Sequence, residues 1–407
     1  MKTITDKNQI ADVLDRGLVA DIIPSREELL QFLLAGNRLK IYIGADPTFT
    51  SLHLGHAGNL MFLEDLRKLG HEVIVLIGDF TARIGDPSGR TKTRAPLSEA
   101  QIRTNMRSWL SQLKPILGFN DKKNPVRVVY NSAWLGKLRF AEILELASQF
   151  TVQQMIERDM FEKRWKENAP IHLHEFLYPL MQGYDSVALA VNAELCGTDQ
   201  LFNALAGRTL LKRLKNKDKF VITLQLLQNP KTGEMMSKSK GTGIFLATPA
   251  NDMYGETMSQ PDEMTETLFV HCTRLPLAEV RKIMALNPKI AKMRLAFEIA
   301  KIMHGGKAAV AAQENFDKIF SKKDLSGAEI PTVEVPDKLN TVDLVVLCFD
   351  SVGIKKSKSE ARRLILEGAF KVDGLARKDP REILKLQTEV VAIGKFHRFR
   401  LRPKWSR

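Results

Sequence analysis

The chain has 407 residues, 44% of them hydrophobic and 27% charged, and a formal net charge of +14. That length exceeds what one hydrophobic core usually organises, so two or three domains are expected, and no apolar run approaches the ~20 residues that cross a bilayer, which argues against a membrane protein. The cysteines Cys196, Cys272 and Cys348 are too far apart for a disulfide framework or a zinc spacing, and residues 1–24 lack the continuous greasy segment of a secretory signal, so a cytoplasmic protein with reduced thiols and no bound metal is expected.

In the first half, short apolar runs alternate with longer amphipathic ones, the pattern of a doubly wound α/β fold with a parallel sheet covered by helices. Strands are expected over 39–45, 72–78 and 126–130. Between the first two, Leu60, Leu63, Leu66 and Leu69 recur near helical spacing across 55–69, and Gly70 supplies the stop. A helical insertion follows (97–117 and 140–165). The alternation then resumes with an apolar run ending at Cys196, a helix over 200–214 and a strand over 220–227. Residues 1–229 therefore read as one Rossmann-like domain, followed by a glycine-bounded loop over 230–248.

From 249 to 320 the sequence turns helical, with apolar positions three and four apart over 278–284 and 292–303, interrupted at Asn287 and Pro288. Residues 321–340, carrying Gly327, Pro331 and Pro336 without helical periodicity, read as an extended linker. The remainder, 341–407, is a small basic module: 16 Lys and Arg against 8 Asp and Glu place +8 here and leave +6 for the rest of the chain. Charge concentrated in this way points to a polyanion such as nucleic acid; a solvated, solubilising face is the plainer alternative.

Two clusters carry chemistry. The first is Tyr42, Gly44, Asp46, Pro47 and Thr48, then His53, Leu54, Gly55 and His56, placed where the first strand turns into the first helix. Ligands bind there in open α/β sheets, and a helix N-terminus favours a phosphate. Two imidazoles can donate to phosphate oxygens, and Gly55 lets a flat base approach the backbone; a metal pair or ordinary surface histidines fit the same spacing. The second cluster is Met235, Met236, Ser237, Lys238, Ser239, Lys240 and Gly241. A mobile loop of lysines and hydroxyls can close over a triphosphate and neutralise charge growing on a leaving pyrophosphate, although a solvated basic loop has the same composition.

Taken together and in this order, the clusters resemble the HIGH and KMSKS motifs of the class I aminoacyl-tRNA synthetases, as His53 to His56 and Met235 to Ser239. Met235 stands where that family has its first lysine, so the phosphate role falls on Lys238, with Lys240 as a possible substitute. Between the motifs, and over nearly the whole chain, the sequence is similar to the bacterial tyrosyl-tRNA synthetases. That resemblance implies ATP as substrate with Mg²⁺ carried on the nucleotide, L-tyrosine and tRNA(Tyr) as partners, and a homodimer. It assigns the tyrosine phenol to Tyr42 and Asp185, and the amino group to Asp86, Tyr178 and Gln182. Gln200 falls near the tyrosine carboxylate, and the ATP ribose falls to Asp199. Further ATP contacts fall on Asp46, Thr48, His53, Gly55, His56, Arg90, Arg94, Ser237, Lys238 and Ser239, with His53, His56 and Lys238 catalytic.

The helical region resembles that family's anticodon-binding domain, and the basic module, with a helix expected from Lys355 onward and Ser359 near its start, resembles an S4 RNA-binding module. Lys356, Lys358, Arg362, Arg363 and Lys371 are its candidate RNA contacts. A phenol both donates and accepts, so a hydroxyl paired with a carboxylate leaves neither group unsatisfied, whereas phenylalanine would strand both. The tryptophanyl synthetases share the motif order, and a noncatalytic RNA-binding protein is the alternative from another class. The pairing of Tyr42 with Asp185 favours a phenol.

Overall fold

The computed structural model describes residues 2–87, 97–236, 243–321, 330–352, 354, 356–387, 389–394 and 397–404. Its organising element is β3 (Glu72–Ile77), whose run Val73 to Ile77 is apolar on both faces and buried on both. A strand of that kind belongs inside a parallel sheet with helices on each side. Around it lie β1 (Val19–Ile23), β2 (Lys40–Ala45), β4 (Arg127–Tyr130), β5 (Ala193–Gly197) and β6 (Phe220–Leu224), in the order β1-β6-β5-β2-β3-β4. All neighbours pair in parallel except β1, which runs antiparallel to β6 along the edge. From β2 the chain crosses through the helix Leu54–Lys68 to β3, while β5 returns on the other side of β2. The crevice at the carboxyl ends of β2 and β5 is thus the point where the winding reverses.

The helix Leu54–Lys68 ends on Leu69 and Gly70, whose φ of +99° puts it in the left-handed region; a Cβ there would lie 2.9 Å from the Lys2 carbonyl. Leu173–Leu189 and Leu201–Lys215 pack closely because glycines face each other: a Cβ at Gly183 would lie 3.1 Å from the Gly207 amide nitrogen. This close approach holds Gln182, Asp185 and Ser186 over the sheet.

Contacts divide the chain into two compact units, 1–248 with 262–291, and 249–261 with 292–407. Residues 262–291 go with the sheet because Met264–Cys272 lies against Leu54–Lys68: the Arg16 guanidinium caps the carbonyls of Val270, Thr273 and Leu275, and Arg274 pairs with Asp65. In the second unit, Tyr254, Met258, Ala296, Ala312 and Phe316 form a small helical core.

Beyond residue 330 come a five-stranded sheet, β10-β9-β12-β13-β7, and a two-stranded ladder, β11-β8. These strands are β7 (Thr332–Val335), β8 (Lys338–Asn340), β9 (Phe370–Val372), β10 (Leu375–Ala376), β11 (Ile383–Lys385), β12 (Val390–Ile393) and β13 (His397–Pro403). The stretch expected to be a linker therefore supplies two strands. Thr332–Val335 alternates exposed and buried residues and pairs in parallel with β13, a partner nearly seventy positions away that no local pattern announces. The basic helix begins three residues later than expected, running Lys358–Leu366 with Ser359 in its first turn, and its cap is Ser357, which exchanges hydrogen bonds with Glu360. Phe370, just after it, is buried on β9.

Two histidines of the first unit make its stability depend on pH. His71 is fully buried, accepts the Leu39 amide at Nδ1, and is pushed down to about 4 by burial and by Arg38. His271 is likewise lowered to about 4 by burial and by Arg16. Below the ordinary imidazole value the unfolded chain takes up protons that the native state refuses, so this stability is complete above about 6.5 and is lost as pH falls toward 4. Urea unfolding followed from pH 7 to pH 4.5 should show ΔG falling by up to ~1.4 kcal/mol per pH unit for each histidine, with a shallower slope for His71→Gln.

Candidate active site

At the end of β2, His53 caps the helix Leu54–Lys68: its Nδ1 accepts the Gly55 amide (3.1 Å), while the His56 ring turns back to the His53 amide (3.3 Å). The rings lie 4.3 Å apart, centre to centre. A Cβ at Gly55 would lie 2.7 Å from the His53 ring, so the space over this glycine is taken by the imidazole itself and not left open for a base. Burial, with His56 adding to it, lowers His53 to about 3, and burial lowers His56 as well. Both rings are therefore neutral at physiological pH. Because the His53 Nδ1 accepts, its proton sits on Nε2, which becomes a hydrogen-bond donor.

The segment after the second motif is stitched to this turn: Leu54 donates to the Ile244 carbonyl (2.9 Å), and Leu246 donates to the Leu52 carbonyl (2.9 Å). Before the loop, Met236 is buried and Met235, in the first lysine position, is exposed. Ser237, Lys238, Ser239, Lys240, Arg90 and Arg94 lie outside the described residues.

Tyr42, on β2, is fully buried, and its hydroxyl lies 3.0 Å from the Ser186 hydroxyl. Asp185, one residue earlier on the helix Leu173–Leu189, accepts from Trp134 Nε1 (2.7 Å) and Asn131 Nδ2 (3.3 Å). Burial raises the Asp185 carboxyl well above the usual carboxylate range, while those two donors pull against it. Burial likewise raises Tyr42, with Glu194 and Asp185 adding to the effect. Tyr42 and Asp185 are both buried, and Tyr42 reaches the hydroxyl of the residue next to Asp185.

From this pair, hydrogen bonds run both ways around the crevice. Asn131 continues to Thr81 (3.1 Å), Thr81 to Asp46 (2.6 Å), and Asp46 accepts from the Tyr178 hydroxyl (3.0 Å). Thr48 donates its amide to the Asp46 carbonyl. On the other side Gln182 meets Asn203 (2.9 Å), Asn203 meets Gln200 (2.9 Å), and Gln200 donates to Asp86 (2.7 Å) and Asp199 (3.1 Å). Tyr178 therefore goes with Asp46, whereas Asp86 goes with Gln200 and with the Arg158 guanidinium 3.7 Å away. Arg158 is buried and lies over the rings of Phe161 and Phe202.

Sequence reasoning did not single out Thr81, Asn131, Trp134, Arg158, Ser186, Glu194, Asn203 or Lys219. Of these, only Glu194 carries a local signal, as an acid inside the apolar run Ala193–Gly197. Cys196, beside it, is a buried free thiol raised well above its ordinary value by burial.

A buried carboxyl and phenol at one end of the crevice and a neutral imidazole donor over a helix N-terminus at the other suit a small polar aromatic ligand beside a nucleotide. Comparison with known proteins gives this geometry its context. The profile of the tRNA synthetases class I (W and Y) matches residues 34–321, and that of the S4 domain matches residues 344–390. The chain belongs to the class I tRNA synthetases of the W and Y family. It is 42% identical to the tyrosine–tRNA ligase of Moorella thermoacetica, over 94% of this chain and 93% of that protein. With the tyrosine–tRNA ligase of Thermotoga maritima the identity is 40%, over 98% of each. The structure of a C-terminally truncated mitochondrial tyrosyl-tRNA synthetase from Aspergillus nidulans superposes with a TM-score of 0.66 at 26% identity, covering 77% of this chain and 94% of that one.

In the S4 domain of this synthetase, Arg362 and Lys371 are exposed, as are Lys358 and Arg363, which pair with Asp343 (2.8 Å) and Glu367 (3.8 Å). Lys356 is half-buried, bonded to Glu360 and set over the Phe349 ring. Among the described residues, no helix is long and apolar enough to cross a membrane.

Proposed function

We propose that this synthetase activates L-tyrosine with ATP, giving tyrosyl-adenylate and pyrophosphate, and then transfers tyrosine to the 3'-terminal adenosine of tRNA(Tyr). The observation that carries the tyrosine reading is the burial of Tyr42 and Asp185, with the Tyr42 hydroxyl bonded to Ser186, the neighbour of Asp185 on its helix; between them a substrate phenol can donate to the carboxyl group and accept from the hydroxyl. The amino group falls to Asp86, Tyr178 and Gln182, the carboxylate to Gln200, and the ribose to Asp199. The carboxylate of tyrosine attacks the α-phosphate directly, so the protein supplies no nucleophile. Its part is to hold the reactants in line and to meet growing phosphate charge with His53, His56 and Lys238, joined by Asp46, Thr48, Gly55, Ser237, Ser239, Arg90 and Arg94 around ATP and the Mg²⁺ it carries.

Amino-acid-dependent pyrophosphate exchange tests the reading: exchange with tyrosine is expected, and exchange with tryptophan in its place overturns it. The helical segment reads the anticodon and the S4 domain grips the RNA backbone. Arg362 and Lys371 are the better placed of its cations, since Lys358, Arg363 and Lys356 each have an acidic partner. Replacing both by alanine should weaken tRNA binding and flatten the slope of log K against log salt by about one for each phosphate no longer neutralised, leaving pyrophosphate exchange without tRNA unchanged. Large apolar side chains exposed in the helical insertion, Phe140, Leu144, Val152 and Trp165, support a homodimer formed through this region. A cytoplasmic location fits the substrates.

A further inference from the structure

Behind the proposed tyrosine pocket lies a deeply buried ion pair. Lys219, just ahead of β6, has 0% of its side chain exposed and Glu194, on β5, has 2%; the ammonium contacts the Glu194 Oε2. Two charges so deeply buried are costly unless their geometry and hydrogen bonds offset the loss of water. The fold makes room for this pair: Gly207, on the helix Leu201–Lys215, is where a Cβ would lie 2.6 Å from the Lys219 Nζ and 2.8 Å from the Ser186 Oγ. Glu194 is also the register partner of Tyr42 across β2 and β5, and the Lys219 Nζ lies 5.8 Å from the centre of the Tyr42 ring.

We propose that the buried Lys219–Glu194 pair is a positioning element that sets the acceptor sense of Gln182 at the amino end of the tyrosine pocket and biases the run of donors through Ser186 and Tyr42 at its phenol end. This rests on the tyrosine reading above. At the amino end, an ionised Glu194 can only accept, and its Oε1 takes the Gln182 Nε2 (3.1 Å). The nitrogen of the Gln182 amide is thereby committed to Glu194. Its oxygen takes one bond from Asn203 and keeps a second lone pair for a substrate ammonium. Were Glu194 a neutral amide, it could donate to Gln182, which would then turn over and aim its own NH₂ at a cation.

At the phenol end, Lys219 can only donate and fills one lone pair of the Ser186 hydroxyl (2.7 Å). The Ser186 proton then goes to Tyr42 (3.0 Å) or to Glu194 (3.3 Å). The first choice sets a run in which each group donates to the next: Lys219, Ser186, Tyr42, substrate phenol, Asp185. No bond is broken, and the pair touches no reacting atom.

The test compares Lys219→Met with the double variant Lys219→Met/Glu194→Gln in tyrosine- and phenylalanine-dependent pyrophosphate exchange, alongside thermal unfolding. The single variant leaves a buried carboxylate without its cation and is expected to lose stability. The double variant is neutral and should recover most of it. Yet its kcat/KM preference for tyrosine over phenylalanine should stay at least about tenfold below the parent, through a raised tyrosine KM with little change in kcat, because the pocket's polar groups are no longer held in the required sense. A double variant that regains both stability and discrimination makes the pair merely structural and overturns the proposal. Should the double variant fail to fold, Ser186→Ala, which interrupts the run but keeps the pair, must raise the tyrosine KM; an unchanged KM overturns the proposal equally. Absence of tyrosine-dependent exchange in the parent protein would overturn the functional reading itself, an outcome distinct from either of these.

Discussion

Replacing Asp185 by alanine is expected to lower kcat/KM for tyrosine on the order of 10²–10³-fold while leaving the KM for ATP close to that of the parent. The substrate phenol loses the carboxyl group that accepts its proton. The donors that Asp185 satisfied, Trp134 Nε1 at 2.7 Å and Asn131 Nδ2 at 3.3 Å, are left facing a void whichever amino acid is bound, so that part of the cost falls on the stability of the protein. Hydrogen bonds to charged groups are worth roughly 1.5–3 kcal/mol net, and a stranded buried donor costs a similar amount. Phenylalanine never used the carboxylate, so its slow activation should hardly change, and the two substrates should converge in pyrophosphate exchange. Parallel losses for tyrosine and phenylalanine would mean that Asp185 shapes the pocket without recognising the hydroxyl. Tyr42→Phe should act in the same direction but less strongly, since it removes a neutral partner and leaves the Ser186 hydroxyl its bonds to Glu194 and Lys219.

The contrast between Asp185 and Lys219 also says what a sequence can reveal. The sheet was legible because β3 is apolar on both faces and because Leu54–Lys68 carries its leucines at helical spacing up to Gly70, all of it local information. β1 was not: Val19–Ile23 is short, contains Asp21, and exists as a strand only through pairing with residues some two hundred positions later. The same holds for β7, which looks like a proline-bounded linker until β13 lies beside it. In the site, the candidates read from the sequence were those with characteristic neighbours, as His53 and His56 were from their spacing at the start of the helix Leu54–Lys68. Ser186, Asn131, Arg158 and Lys219 had no such neighbours. Lysine before a strand ordinarily reads as solvated, and only the fold reveals that Gly207 has cleared a space for its ammonium. Gly55 shows the reverse case: its missing side chain, read in the sequence as room for a base, accommodates the His53 ring.

That ring leads to the second large effect. His53 would do two things that one substitution can separate: its Nδ1 caps the helix, and its Nε2–H is the donor proposed to meet the phosphates. Asparagine is among the best N-caps, so His53→Asn should keep the helix start and the thermal stability of the protein, but its shorter side chain withdraws the donor. Single-turnover adenylate formation should then slow on the order of 10²–10³-fold with tyrosine affinity little changed, the range seen when one preorganised donor to a developing oxyanion is removed. Lys238→Ala should show the same division between rate and binding through loss of a cation; equal losses in both would refute a role confined to the transition state. For His53 there is a further check. With its pKa lowered to about 3 by burial and by His56, the imidazole is already neutral at 6.5, so the parent rate should carry no His53 titration there. A rate that fell as His53 lost a proton in that region would mean that the ring acts as a cation, against both its burial and the amide hydrogen bond that Nδ1 accepts.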